Sequence, residues 1–158
     1  SSGPFLPFRL KKDSTQYRYI GAWDAYPANR RRLVNAMSQA HGHPLVLSGD
    51  VHSFWAIDGE QDTVPEDQIP IVEFVTSSLS ANWPEPLSKP ITDNLPYNPH
   101  VQLYDGDHRG YLLHDVNKQE WKTTMRALDD AKNNQSTVQD LASFVVENGK
   151  PGLRRIQK

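Results

Sequence analysis

The sequence predicts an α/β (α+β) fold, on three observations. A helical period over residues 27–41 runs into a continuous apolar stretch, Leu45-Val46-Leu47, and a helix feeding such a strand implies an α/β layer. Beyond residue 100 the strand-like segments follow one another without helices, which implies antiparallel pairing. Twelve prolines and nine glycines in 158 residues leave room only for short elements joined by many loops.

Each element has its own justification. Residues 1–22 hold Pro4, Pro7 and Gly21 without a clear period, so they read as an irregular entry or tag remnant, with a short strand at residues 16–20. In the helix, Leu33, Ala36, Met37 and Ala40 recur at three- and four-residue steps; Pro27 suits its first position and Gly42 the position past its end. Its other face carries Asn29, Arg31, Arg32, Asn35, Ser38 and Gln39, so the apolar stripe is expected against a sheet. Leu45-Val46-Leu47 reads as a strand covered on both faces. Residues 69–76, Ile-Pro-Ile-Val-Glu-Phe-Val-Thr, form a second strand, with Pro70 near the start, where a missing donor does least harm. Five prolines (84, 86, 90, 96 and 99) make residues 82–99 a surface excursion that is neither helix nor sheet. Further strands are expected at 101–104, 110–116, 121–128 and 142–146, with a mobile polar loop at 129–139 and a tail at 154–158.

Composition bounds the function. The length suits one domain, or part of one. Seventeen basic and nineteen acidic residues give a net charge of -2, which argues against a nucleic-acid-binding face. The only tight basic cluster, Arg30-Arg31-Arg32, reads as a solvated helix face. No segment approaches the ~20 apolar residues of a membrane helix, and the amino end shows no export signal. With no cysteine, disulfides, thiolate catalysis and thiolate-ligated zinc are excluded, and any metal would rely on His, carboxylate or amide oxygen.

The sharpest local signal is Ser48-Gly49-Asp50-Val51-His52-Ser53-Phe54-Trp55, directly after the apolar run. In an extended chain Asp50 and His52 share a face ~7 Å apart along the strand. That spacing lets each reach a different member of a metal pair ~3.5–4 Å apart. Open α/β sheets also bind ligands at the carboxyl ends of their strands. The alternative is that Asp50 caps a turn and His52 bonds a backbone carbonyl; Gly-Asp-x-His alone does not decide between them.

Several blocks lie around that motif in a fixed order: Trp23-Asp24-Ala25-Tyr26-Pro27-Ala28-Asn29-Arg30, the 45–55 stretch, Glu73-Phe74-Val75-Thr76-Ser77-Ser78, Asn98-Pro99-His100, Arg109-Gly110-Tyr111, and residues 142–153. Together, from about residue 23 to 153, they resemble the carboxyl-terminal half of PhoD-like alkaline phosphatase/phosphodiesterases. The resemblance implies a metallophosphoesterase (calcineurin-like) sandwich of two sheets flanked by helices, with an antiparallel carboxyl-terminal strand set. It implies phosphomonoester or phosphodiester hydrolysis at a binuclear centre of iron with calcium, with zinc, manganese or magnesium as other occupants. Asp50 and His52 then stand as the last two protein ligands, where other metallophosphoesterases have Gly-His-x-His. No residue is assigned as a catalytic acid or base. The family's amino-terminal ligand motifs have no counterpart before Trp23, so the chain is expected to be a fragment, a cut piece or a degenerate paralogue, poor in metal binding and activity by itself. Its expected partners are a phosphoester or phospholipid, the missing amino-terminal half, and a second copy through an exposed strand edge. By the same resemblance it is extracellular or periplasmic.

Other residues carry two readings each. Asp24 and Tyr26 border the site, or Asp24 caps the helix and the aromatic packs. Trp55 walls the pocket or fills the core. His100 and Arg109 meet phosphate or the metal's surroundings, or are structural. His41 and His43 read as donors at the negative end of the helix. Ser77-Ser78 lacks a nucleophile elbow, which argues against serine hydrolysis. The rival functions are a non-catalytic interaction module and a phospholipase D-type phosphodiesterase.

Overall fold

A computed structural model describes residues 3–10, 22–39, 42–59, 71–83 and 85–157. The strand expected at 16–20 and His41 lie outside the described residues. The elements are α1 (Pro27–Ser38), β1 (Leu45–Ser48), β2 (Phe54–Asp58), β3 (Val72–Val75), α2 (Glu85–Asn94), β4 (Val101–Asp105), β5 (Arg109–Val116), β6 (Glu120–Leu128), β7 (Val138–Glu147) and β8 (Arg154–Gln157). Short 3-10 turns at Trp23–Ala25 and Leu95–Tyr97 lead into α1 and out of α2.

Two four-stranded sheets result. The first has the order β1-β3-β2-β4, with β1 parallel to β3 and β2 antiparallel to both its neighbours. The second, β5-β6-β7-β8, is antiparallel throughout. Alternation along the strands assigns two cores. Phe54, Ala56, Val72 and Phe74 meet Met125, Ala127, Ala142, Phe144 and Val146 between the sheets. Trp55, Ile57, Ile71 and Val75 face the other way, where Phe5, Leu6 and Val34 cover them. The molecule is therefore layered: α1 and the 3–10 segment, the first sheet, then the second sheet.

Four expectations need correcting. Helix α1 docks through Val34, with Met37 beside it, whereas Leu33 is 41 % exposed; the contact is one residue round the helix from the expected stripe. Strand β1 is covered on both faces only in part, with Val46 against the core under α1. Among the described residues it has β3 as its one neighbour, and Leu45 reaches the intersheet core while Leu47 is 40 % exposed. Residues 85–94 are helical despite Pro86 and Pro90. Pro86 falls in the first turn, where no donor is needed, and Pro90 removes a single backbone bond. Ile91 packs on the core and Ser88 Oγ lies 3.2 Å from Tyr104 Oη, so tertiary contacts offset that loss. Finally, the expected tail from Arg154 is β8, hydrogen-bonded to β7.

Between the sheets, β5 begins at a close approach. Gly110 has φ 156°, and a Cβ there would occupy the space of the Arg126 carbonyl on β6. Its N–H reaches across to the Ser78 carbonyl at 2.9 Å, tying the second sheet to the loop that leaves β3. Loop 129–137 is held by Asp129, whose carboxylate accepts from Thr137 and Gln139.

Candidate metal centre

Residues 49–53 connect β1 to β2, which run antiparallel on either side of β3. The chain must therefore cross over the end of β3 in five residues and reverse. Thr76 N–H bonds the Ser48 carbonyl at 2.9 Å, and a Cβ on Gly49 would stand 3.3 Å from Thr76 Cγ2. The reversal is made by Asp50 and His52 themselves, with φ of 73° and 49°. Residues 50–52 are therefore not extended as expected, and the pleat argument for their spacing does not hold. Left-handed backbone costs a non-glycine residue roughly 1–2 kcal/mol, and two such residues in one turn mark a site held against local preference.

The turn is anchored from inside. Val51 and Ser53 are buried, while Asp50 is exposed and His52 half-buried. Ser53 Oγ donates to the Val51 carbonyl at 3.0 Å and accepts from Trp55 Nε1 at 2.8 Å. Trp55 is buried, with Phe8 edge-on at 5.3 Å and Tyr104 at 4.5 Å between centroids. The ring packs in the core, and its indole N–H is bonded to the turn through Ser53.

His52 Nδ1 lies 3.2 Å from the Asn82 carbonyl, which can only accept. Nδ1 therefore donates to it, which turns Nε2 away from this contact, the arrangement by which a backbone carbonyl orients an imidazole. Arg109 holds the frame around this contact. It donates from Nη1 to the His52 carbonyl at 2.5 Å and the Ala81 carbonyl at 2.9 Å, and from Nη2 to the Gly106 carbonyl. Burial pushes the guanidinium pKa down, opposed by Asp105, Asp107 and Tyr104. The β4–β5 turn that delivers Arg109 is organised by Asp105, which accepts from the backbone N–H groups of Asp107 and His108 and lies 2.8 Å from His108 Nδ1. Arg109 is thus structural in direct service of the His52 turn.

The remaining candidates lie elsewhere in the bonding pattern. His100 is buried, and its Nε2 donates to the Pro7 carbonyl at 2.8 Å. Asp24, in the 3-10 turn that precedes α1, makes no helix cap and pairs with Arg30 at 2.5 Å. Tyr26 is 58 % exposed. Among the described residues His43 makes no bond at the helix end: both ring nitrogens are buried without a hydrogen-bond partner, and burial pulls its pKa down.

Two residues missed in the sequence border the turn. Glu73 is fully buried on β3, and its carboxylate accepts from Ser48 Oγ at 2.5 Å and from the Phe5 and Leu6 N–H groups at 2.7 Å each. The signal was a charged residue in the middle of an apolar strand. Asn82 acts through its carbonyl, which no side-chain pattern reveals.

Among the described residues no group of three His, Asp or Glu side chains could hold an ion. Asp50 and the oriented His52 fit a metal in kind, a hard oxygen and an imidazole nitrogen. They make a share of a donor set, since sites normally take three or four protein donors per ion.

A two-sheet α/β sandwich with a strained Asp/His turn at the carboxyl end of a strand defines a class that comparison with known proteins then specifies. Residues 2–125 match the family model of the PhoD-like phosphatases. Alkaline phosphatase D of Bacillus subtilis (strain 168) is 32 % identical over 143 residues, covering 87 % of this chain and 24 % of that protein. A solved structure titled "Structure of PhoD" superposes with a TM-score of 0.81 at 26 % identity, over 99 % of this chain and 30 % of that one. The chain belongs to the PhoD-like phosphatase family. It spans about a quarter of the length of the curated relative it matches.

Proposed function

We propose that this chain contributes to metal-dependent hydrolysis of phosphomonoesters or phosphodiesters, with Asp50 and His52 as two of the protein donors of a binuclear centre. The remaining donors belong to the greater part of the relatives' length that this chain does not span. The observation that carries the reading is the turn itself: two left-handed donors with the His52 tautomer set by the Asn82 carbonyl. Iron with calcium is the pair the family suggests; zinc, manganese and magnesium are the other occupants to test. Bound ions would supply charge stabilisation for the phosphoryl oxygens and order the attacking water. This chain's part is to hold and orient. The Asp50 carboxylate suits the harder ion and His52 Nε2 the softer one. Neither acts as general acid or base.

Replacing either residue by Ala is expected to remove metal as well as rate; metal stoichiometry retained with turnover lost would refute the assignment. Calorimetric titration of this chain alone with iron, zinc and calcium is expected to show weak binding, and two sub-micromolar sites would contradict the shared-cage reading. Phosphomonoester, phosphodiester and phosphatidylcholine substrates separate an alkaline phosphatase from a phospholipase D-type enzyme. The absence of a three-donor group among the described residues favours one second reading, a non-catalytic interaction module, and metal-free binding of a partner by the whole protein would support it. The family also suggests an extracellular or periplasmic setting. No helix among the described residues is long and apolar enough to cross a membrane. The rest of the domain, or a second copy, is expected to pair with this chain through a strand edge.

A further inference from the structure

The face of the first sheet away from β5–β8 contains a buried carboxylate that the proposed donors do not use. Ile71, Glu73 and Val75 alternate onto that face, and Val46 and Ser48 lie beside them on β1, because β1 and β3 are parallel with Val46 opposite Glu73 and Ser48 opposite Val75. A leucine there would join the core at no desolvation cost; a buried charge persists only with its donors supplied. Glu73 has three, and all belong to two segments. Phe5 and Leu6 offer consecutive N–H groups, one to each oxygen, at 2.7 Å, and Ser48 adds its hydroxyl at 2.5 Å.

The rest of the 3–10 segment is held in the same manner, by its backbone. Gly3 N–H bonds the Gly49 carbonyl at 3.1 Å, His100 Nε2 donates to the Pro7 carbonyl at 2.8 Å, and Asn98, fully buried, both accepts from Arg9 N–H at 2.7 Å and donates to its carbonyl at 2.8 Å. The segment is a strap laid over the sheet, with Phe5 and Leu6 as its apolar anchors. At its leading end it grips Gly49, and the residue on which Glu73 closes, Ser48, precedes that glycine. The two residues immediately before Asp50 are therefore held, one by the carboxylate and one by the strap that the carboxylate fixes.

From this geometry, and resting on the reading of Asp50 as a metal donor, we infer that Glu73 is a positioning residue: it couples the 3–8 strap to the Ser48–Asp50 turn and so sets the Asp50 carboxylate in place. An amide at position 73 would keep the volume but present a donor to donors, and one strap N–H or the Ser48 hydroxyl would lose its acceptor.

The test uses the whole protein that carries this chain, with Glu73→Gln and Ser48→Ala, and with Asp50→Asn as the control that reports on the donor assignment. In the metal-free protein, hydrogen exchange followed by mass spectrometry is expected to accelerate in Glu73→Gln both over residues 3–8 and over residues 47–54. Calcium and iron affinity is expected to fall about 10–100-fold, the range typical of outer groups that orient ligands, with kcat falling more than KM rises. Ser48→Ala removes one hydroxyl from the same unit; it is expected to loosen 47–54 alone, with a smaller loss of affinity, and it carries the test if Glu73→Gln does not fold. Faster exchange confined to residues 3–8, or unchanged metal affinity in a protein whose Asp50→Asn variant has lost metal, would overturn the inference. If Asp50→Asn keeps its metal, the donor assignment fails instead, and coupling between strap and turn is still decided by the exchange data.

Discussion

Arg109 is 4 % exposed and joins three backbone segments that are distant in sequence: the His52 turn, the loop at Ala81 and the Gly106 turn. Each bond runs from a cation to a carbonyl, for which a contribution of about 1.5–3 kcal/mol is usual. Three do not add in full, since water reaches some of the carbonyls once the side chain is gone. Arg109→Ala should therefore destabilise the protein by about 3–5 kcal/mol, near the top of the range for single substitutions. Arg109→Lys keeps the charge but not the planar fork, so it should recover one or two of the bonds and cost about 1.5–3 kcal/mol. Urea unfolding followed by tryptophan fluorescence, with m unchanged across the series, measures both. A surface ion pair would be worth about 0–1 kcal/mol. A loss below about 1 kcal/mol for Arg109→Ala would thus place the guanidinium among ornamental contacts and remove the case that it frames His52.

Two further substitutions test the packing. Gly110→Ala puts a methyl group into the Arg126 carbonyl at a φ that side chains avoid, so it should cost about 3 kcal/mol or more and disturb the β5–β6 register. Gly49→Ala, which meets only a Thr76 methyl at 3.3 Å, should cost about 1 kcal/mol; equal losses in urea unfolding would refute the distinction. His43→Leu should stabilise by about 1 kcal/mol, because it removes two buried ring nitrogens that have no hydrogen-bond partner among the described residues. Burial depresses the folded-state pKa of His43 and of His114, so the unfolded chain takes up their protons first. Their contribution is complete above the unfolded value of 6.5 and is lost as pH falls from there towards the lower folded values. His43→Leu should flatten that acid-side decline without abolishing it, since His114 remains; an unchanged slope between pH 7.5 and 5 would contradict the assignment.

Local pattern carried much of the fold. The 27–41 period became α1, which ends at Ser38, and the β-branched and aromatic runs became β3 to β6 close to their expected bounds, whereas β7 begins at Val138, four residues earlier than expected and inside the stretch read as a loop. Strand β2 was not anticipated, because Phe54-Trp55-Ala56-Ile57 is buried on both faces and shows no alternation to read. Helix α2 was hidden by its prolines, whose cost is offset by Ile91 and Ser88 meeting residues of other elements. At the candidate centre, the residue types of Asp50 and His52 were legible and their conformation was not. An extended pair was the natural reading until the crossing over β3 required a reversal.

The apolar runs, the antiparallel half, the family blocks and the residue types at positions 50 and 52 could all be read from the chain alone, because they are properties of residues within a few positions of one another. What holds those two side chains in place came from the three-dimensional packing. Arg109 reaches His52 across 57 positions and Glu73 reaches Phe5 across 68. Such pairings follow from strand order and layer packing, and a residue's type records that it can donate or accept without recording from which distant segment its partner comes.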